Sequence, residues 1–198
     1  MSSRASTKPN RFGISRKVAA LFLLLAAMAG AYQLVVYRAQ QQLEGIAEDI
    51  NSAGRLRYRS QEIRASVLDA VLTQTWSDET TNLINKFADR LSKLEDRGLI
   101  IERLASTSSR KFLPVLDQTR AAWIAYRQDV QSLLKTRPTR EAAQAQLTRI
   151  RQESDQVLSM ANEATTFLAE RAEAIRHDVW RTLTWLTTIN LAILLTVF

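Results

Sequence analysis

Apolar positions recur at alternating steps of three and four residues over most of the chain, which is the spacing of one face of an α-helix. The first such stripe begins at Leu43 and meets no proline, so it predicts a long helix that ends at about Trp76. Its members are Leu43, Ile46, Ile50, Ala53, Arg57, Ser60, Arg64, Val67 and Val71. Two arginines therefore occupy positions where the pattern predicts buried residues.

Three further stripes follow, separated by short polar segments. Ser77 before Asp78 and Glu79 predicts the start of a second helix, because a hydroxyl caps free amides and acids complement the helix dipole. The segments "STSSRKFLP" at 106–114 and "KTRPT" at 135–139 predict the breaks before the third and fourth helices. The stripes are Ile84, Phe87, Leu91, Leu94, Gly98 and Ile101; then Leu116, Thr119, Trp123, Tyr126, Val130 and Leu133; then Leu147, Ile150, Val157, Ala161, Ala164, Leu168 and Ile175.

This succession predicts an all-α fold. Four amphipathic helices joined by short connections form an antiparallel up-down four-helix bundle most simply. The 5 glycines and 3 prolines in 198 residues favour long helices with few turns. No alternating run of β-branched residues between turn signals indicates a sheet.

Long apolar stretches lie on both sides of the bundle. Residues 18–37 have about the length that crosses ~30 Å of hydrocarbon. Residues 179–198 form a second stretch, in which Trp180 and Trp185 suit the membrane interface and Arg181 can reach the headgroups. We expect two transmembrane helices. The alternatives are a cleaved signal peptide at the first stretch and a buried C-terminal bundle helix at the second.

The net charge of +7 is concentrated at the N-terminus, because no acid precedes Glu44. A basic tail at 1–17 beside an apolar stretch places the N-terminus in the cytoplasm. Residues 38–178 then form an extracytoplasmic domain, periplasmic at the inner membrane of a Gram-negative bacterium. The remaining charges are mixed in sign, so we do not expect nucleic-acid binding. We expect the sequence to continue into a cytoplasmic output domain.

The residues offer little for catalysis. Cysteine is absent, and His177 is the only histidine. The Glu-x-x-His pair of di-iron bundles is missing, because Ala174 occupies the required position. No phosphate-binding glycine loop or nucleophile elbow occurs. We expect no enzyme, metal site or cofactor here, and we interpret Trp123 and Tyr126 as core residues.

The segment "INSAGRLRYRSQ" at 50–61 carries the strongest functional signal. Arg59 has Glu62 three residues further on, so we expect it to pair with that acid as a solvated surface residue. No acid lies three or four residues from Arg57. A ligand, or an acid from another helix, is then the partner of Arg57. A glycine one turn earlier admits a close approach, and two amides add polar groups. The candidate ligand-binding residues are Arg57, Gly54, Gln61 and Asn51.

The same segment resembles the first-helix motif of PilJ-type domains, the N-terminal regions of type IV pili methyl-accepting chemotaxis transducers. It also resembles the related motif of nitrate/nitrite sensor histidine kinases. The residues that match the PilJ-type pattern are Ile50, Asn51, Ala53, Gly54, Arg55, Arg57, Ser60 and Gln61. Those that match the pattern of the nitrate sensors are Ala53, Gly54, Leu56, Arg57 and Ser60. Tyr58 departs from the usual methionine, and Glu62 from the usual basic residue.

The resemblance implies a four-helix sensor that forms a homodimer, with Arg57 and Gly54 binding a small anion, nitrate or nitrite, at the dimer interface. We therefore predict a transmembrane receptor input module. It would transmit a helix shift to an output domain such as a histidine kinase, a chemoreceptor signalling domain or a diguanylate cyclase. The alternatives are a sensor of the same fold for a non-anionic ligand or a partner protein, and a structural membrane-anchored helical protein.

Overall fold

The computed structural model of the chain describes residues 11–104 and 112–197, and all secondary structure in these ranges is helical. The helices are α1 (Arg11–Thr73), α2 (Glu79–Leu104), α3 (Phe112–Thr136) and α4 (Arg140–Val197). The chain divides into one compact unit at residues 44–173 and another formed by residues 1–43 with 174–198. The predicted all-α class is confirmed, and α1 and α4 are each unbroken.

Within residues 44–173 the helices surround a common core. The aromatic ring of Phe87 stacks on that of Trp123 at a centroid distance of 3.9 Å, so the expected core role of Trp123 is confirmed. Each helix contacts the next in the chain, and α4 returns to α1, as in an up-down-up-down bundle. The joining pairs are Ser66 with Thr80, Phe87 with Trp123, Gln146 with Asp129, and Arg64 with Asp155.

The predicted stripes of α2, α3 and α4 form most of this core. All described members of the α2 and α3 stripes are buried, as are five members of the α4 stripe. Those five are Ile150, Val157, Ala161, Ala164 and Leu168. Ile101 was also predicted to be buried, but its side chain lies outside the residues whose side chains are described.

The buried face of α1 differs from the predicted stripe. Leu56 is buried with 1% of its surface exposed, whereas Arg57 is exposed. Ile63 is likewise buried where the pattern selected Arg64. After Ala53 and after Ser60, the helical spacing allows the next buried residue to come either three or four positions later. In both cases the residue three positions later, an aliphatic one, is buried. The placement of Arg57 on the buried stripe was therefore wrong.

The helix ends follow local chemistry. The amide of Glu79 donates to the Ser77 hydroxyl at 3.4 Å, which confirms the predicted cap of α2. The amide of Ala143 donates to the carbonyl of Thr139 at 2.9 Å at the start of α4. Most of the predicted break at 106–114, residues 106–111, lies outside the described residues. Its last part was wrong, because Pro114 belongs to the first turn of α3, where proline is tolerated.

The second unit contains the N-terminal part of α1 and the C-terminal part of α4. The hydroxyls of Tyr32 and Thr187 lie 2.6 Å apart and form a hydrogen bond between these helices. Among the residues described, only α1 contains a stretch long and apolar enough to cross a membrane, beginning at Val18. The second transmembrane helix at 179–198 stays a prediction.

Candidate functional site

The three arginines of the motif lie on different flanks of α1. Successive helical residues are rotated by about 100°, so Arg57 and Arg59 are separated by about 160° around the axis. Arg64, one heptad after Arg57, bonds Asp155 of α4 at 2.7 Å, which assigns that flank to α4. Glu48, one heptad before Arg55, pairs with Arg97 of α2 at 2.5 Å. Arg57 therefore lies toward α4, while Arg55 and Arg59 lie toward α2.

The side chain of Arg57 has no partner among the described residues of the bundle. Its side chain is exposed, and its guanidinium forms no hydrogen bond or ion pair with any residue that the structure describes. Only its backbone is engaged, since its carbonyl accepts a hydrogen bond from the Ser60 hydroxyl at 2.8 Å. The absence of a local acid partner, noted in the sequence, extends to the described residues of the neighbouring helices.

The other predicted ligand residues lie around the same outward side of α1. Gln61 and Asn51 are exposed, and Gly54 is half-buried. Gly54, Arg57 and Gln61 fall within about 60° of one another around the helix, with Asn51 further toward α2. A Cβ placed on Gly54 would meet no atom within 4 Å. Packing within one chain therefore does not require glycine at this position.

A row of small and apolar residues continues along this outward side. Leu68 and Leu72 are 46% and 49% exposed, although they belong to a helix that also has a full buried face. The row flanks the Arg57 side chain on both its N-terminal and its C-terminal side. Its members are Ala47, Ile50, Gly54, Ala65, Leu68 and Leu72.

Ser60 is the polar centre of the core behind Arg57. Its backbone carbonyl accepts hydrogen bonds from the Tyr126 hydroxyl at 3.0 Å and from the Ser154 hydroxyl at 3.5 Å. Burial raises the pKa of Tyr126, so its hydroxyl keeps the proton that it donates. These contacts join α1, α3 and α4 at one level and hold the motif in a fixed rotation.

The two departures from the family motif contact each other. The guanidinium of Arg59 donates to the carboxylate of Glu62 at 2.5 Å, which confirms the predicted pairing. The Tyr58 hydroxyl also hydrogen-bonds Glu62, and this bond raises the pKa of Tyr58. Arg59 is half-buried rather than the solvated residue the sequence suggests. Because Arg59 neutralises it, Glu62 does not act as a partner of Arg57.

A buried acid, Asp49, lies about two turns before Leu56 on α1. Asp49 is 2% exposed, and its Oδ1 lies 2.8 Å from the Arg97 Nε without a directed hydrogen bond. Burial raises the pKa of Asp49 and outweighs the opposing effect of Arg97. Asp49 therefore forms part of the α1–α2 contact rather than of the outward site.

Comparison with known families agrees with this architecture. The model of the PilJ family, the N-terminal domain of type IV pili methyl-accepting chemotaxis transducers, matches residues 39–150. This range is more than half of the chain and contains the whole motif. The chain belongs to this family. No individually curated protein matches the chain.

Membership in the PilJ family makes the chain a sensory input module of the chemoreceptor type, and no catalytic domain is evident in the part of the chain that the structure describes. Among the same residues no group of three or more His, Cys, Asp or Glu side chains could hold a metal ion.

Two residues near the motif, Ser154 and Arg90, were not predicted from the sequence to contribute to this region. Ser154 fills the gap between Ile150 and Val157 in the α4 stripe, and that gap is the only trace of it.

Proposed function

We propose that this PilJ-type module senses a small monovalent oxyanion, nitrate or nitrite, at a homodimer interface centred on Arg57. The observation that carries the proposal is the exposed, unpaired guanidinium of Arg57 in the middle of an exposed apolar row. Guanidinium matches planar oxyanions because its donor fork addresses two oxygens at once.

A second copy of the chain is the occupant that fits the outward row of α1. Leu68 and Leu72 of this row stay about half exposed in the single chain, and Gly54 leaves room for a close approach of another helix. Pairing two copies about a two-fold axis would place each row against itself and each Arg57 near its symmetry mate. The exposed leucines would then be covered.

The anion would change the sign of the electrostatic energy at this interface. Two guanidinium charges ~8 Å apart repel by about 2 kcal/mol at an effective dielectric of ~20. An anion midway between them gains about 4 kcal/mol with each charge before desolvation. The ligand would therefore favour the close arrangement of the two α1 helices.

Signal transmission would use the unbroken helices. α1 includes both the motif and the apolar stretch that begins at Val18, and α4 extends from the bundle core to Val197. In the proposed topology both helices cross the inner membrane, with residues 38–178 in the periplasm. A shift of α1 or α4 at the ligand would reach a cytoplasmic output domain as a shift of the same helix.

Isothermal titration of the whole chain in lipid nanodiscs with nitrate and nitrite tests the proposal. We expect saturable binding that Arg57→Ala abolishes and that Arg127→Ala, at an exposed arginine of α3, leaves unchanged. Equal binding by the wild-type chain and Arg57→Ala would remove Arg57 from the site.

A further inference from the structure

The flank of α1 that faces α2 contains an arrangement of like charges that the proposed nitrate site does not use. Asp49 contacts Arg97, and the hydroxyls of Ser66 and Thr80 lie 2.6 Å apart. These two contacts fix the register of the antiparallel helices α1 and α2. Because both helices rise about 1.5 Å per residue, position 90 of α2 lies level with positions 55 and 56 of α1.

The register places Arg90 opposite Arg55. Arg97 of α2 forms an ion pair with Glu48 of α1 at 2.5 Å. The equivalent positions one heptad away are occupied by Arg90 in α2 and Arg55 in α1. Residues one heptad apart lie on nearly the same strip of a helix. The bridge between an acid and a base at one level is thus replaced by two bases at the next level.

Arg59 lies about one turn after Arg55, about 6 Å further along the axis of α1, and it adds a third guanidinium to this flank. Burial lowers the pKa of Arg90, and the charges of Arg55 and Arg59 lower it further. Arg59 is compensated by Glu62, and the nearby Asp89 by Lys93 at 2.9 Å. Neither Arg55 nor Arg90 forms an ion pair or a side-chain hydrogen bond with any residue in the described ranges.

We propose that Arg55, Arg90 and Arg59 form a second anion site, on the α1–α2 flank, for a small oxyanion that carries two or more negative charges. Two uncompensated guanidiniums from two helices match a doubly charged ligand better than a monovalent one. The forks of Arg55 and Arg90 bind its oxygens from opposite sides, and the remaining donors of Arg59 complete the contact. The site is independent of the Arg57 site, which lies on the other flank of α1.

The ligand of this site cross-links α1 to α2, so its binding stabilises the bundle by mass action. The chemistry is shared by phosphoryl and carboxylate dianions, and two probes distinguish them. Titrations of the whole chain in nanodiscs use pyrophosphate and succinate at constant ionic strength, with chloride as the blank. We expect a saturable rise in Tm with at least one probe. Arg55→Ala and Arg90→Ala each weaken binding by about tenfold or more, because each removes a charge-assisted pair.

Three variants separate this site from the proposed nitrate site and from a general effect on folding. Arg57→Ala retains pyrophosphate or succinate binding, and Arg127→Ala serves as the matched control. Arg55→Glu provides an acid opposite Arg90, so it raises the Tm of the ligand-free chain and removes the anion response. The proposal is overturned if neither dianion shifts Tm more than chloride does, if Arg55→Ala and Arg90→Ala bind as the wild type does, or if Arg57→Ala abolishes dianion binding.

Discussion

The hydroxyl of Tyr126 donates a hydrogen bond to the backbone carbonyl of Ser60 at 3.0 Å, across the centre of the bundle from α3 to α1. A helical carbonyl already accepts from the amide four residues later, so this bond uses its second lone pair. The motif that carries the proposed ligand residues is thereby attached to the diagonally opposite helix. A displacement of Tyr126 in α3 therefore acts on the backbone of α1 at Ser60, one turn after Arg57.

Tyr126→Phe tests this attachment. Removing the hydroxyl deletes one buried hydrogen bond and retains the ring that contacts Trp123, so we expect a loss of about 1 kcal/mol in the free energy of unfolding. Chemical denaturation of the two proteins measures the difference. Tyr58→Phe is the control and should change stability little, because Tyr58 is 61% exposed. Equal unfolding midpoints for Tyr126→Phe and the wild type would contradict a structural role for this bond.

Gly98→Ala should destabilise the bundle. A Cβ at this position would lie 2.9 Å from Leu116 Cδ1 and 3.3 Å from Phe112 Cε1, both on α3. Overpacking of this kind typically costs about 1–3 kcal/mol, which over most of that range is more than the gain of about 1 kcal/mol in helix propensity. The measurement is the Tm of the variant beside that of the wild type, and a higher Tm would show that α3 yields easily.

Gly54→Ala should have the opposite effect on the isolated chain. No atom lies within 4 Å of the added Cβ, so the variant gains about 1 kcal/mol of helix propensity without a clash. If a second copy approaches here, the same methyl group weakens dimerisation and the response to nitrate. Sedimentation with and without nitrate tests the second effect, and unchanged dimerisation would contradict the proposed close approach.

Cross-linking tests the proposed dimer face directly. The chain has no cysteine, so a single introduced cysteine can form a disulfide only between two copies. We expect Leu68→Cys in the outward row to give a cross-linked dimer on mild oxidation in membranes, with a higher yield when nitrate is present. Ala125→Cys, at an exposed position of α3, is the control. Comparable yields from both positions would indicate random collision instead of a defined interface.

Asp49 predicts a specific pH dependence of stability. Burial raises its pKa in the folded state, so the folded chain retains this proton at pH values where the unfolded chain has lost it. Its contribution to stability is therefore greatest below the ordinary aspartate value and is lost as the pH rises through the raised one. Asp49→Asn should stabilise the bundle at neutral pH and less so in acid.

The measurement is the difference in unfolding free energy between Asp49→Asn and the wild type from about pH 4 to pH 7. The difference cancels the effects of Glu95 and Glu153, whose pKa values are also raised by burial. A difference that stays constant with pH would mean that Asp49 ionises alike in both states.

The sequence predicted the cores of α2 and α3 well because each of these helices has one apolar face. α1 has two, the core face with Leu56 and the outward row with Leu68, and steps of three and four fit both. The predicted stripe therefore combined members of the two faces, and Arg57 was assigned to the wrong one. Its missing acid partner was still visible, because local spacing alone reveals it.

Contacts between helices were harder to foresee. The opposition of Arg55 and Arg90 depends on the register of α1 against α2, which is fixed by Asp49 with Arg97 and by Ser66 with Thr80. No spacing within one helix contains that information. Ser154 presents the same difficulty, since only the fold shows that the gap in the α4 stripe faces the carbonyl of Ser60.

The alternation of Leu56 and Arg57 at neighbouring positions limits how α1 can move. A rotation of about 100° around its own axis would exchange the two side chains and bury an unpaired charge, at a cost of several kcal/mol. The bonds of Ser60 to two other helices oppose the same rotation. Small displacements along the axis keep Leu56 in the core and Arg57 outside it, provided that contacts such as Ser60 with Tyr126 and Arg64 with Asp155 adjust with the helix. We expect α1 to behave as a rod whose torsional freedom is locked, so that displacement along its length is the coordinate left to carry a signal.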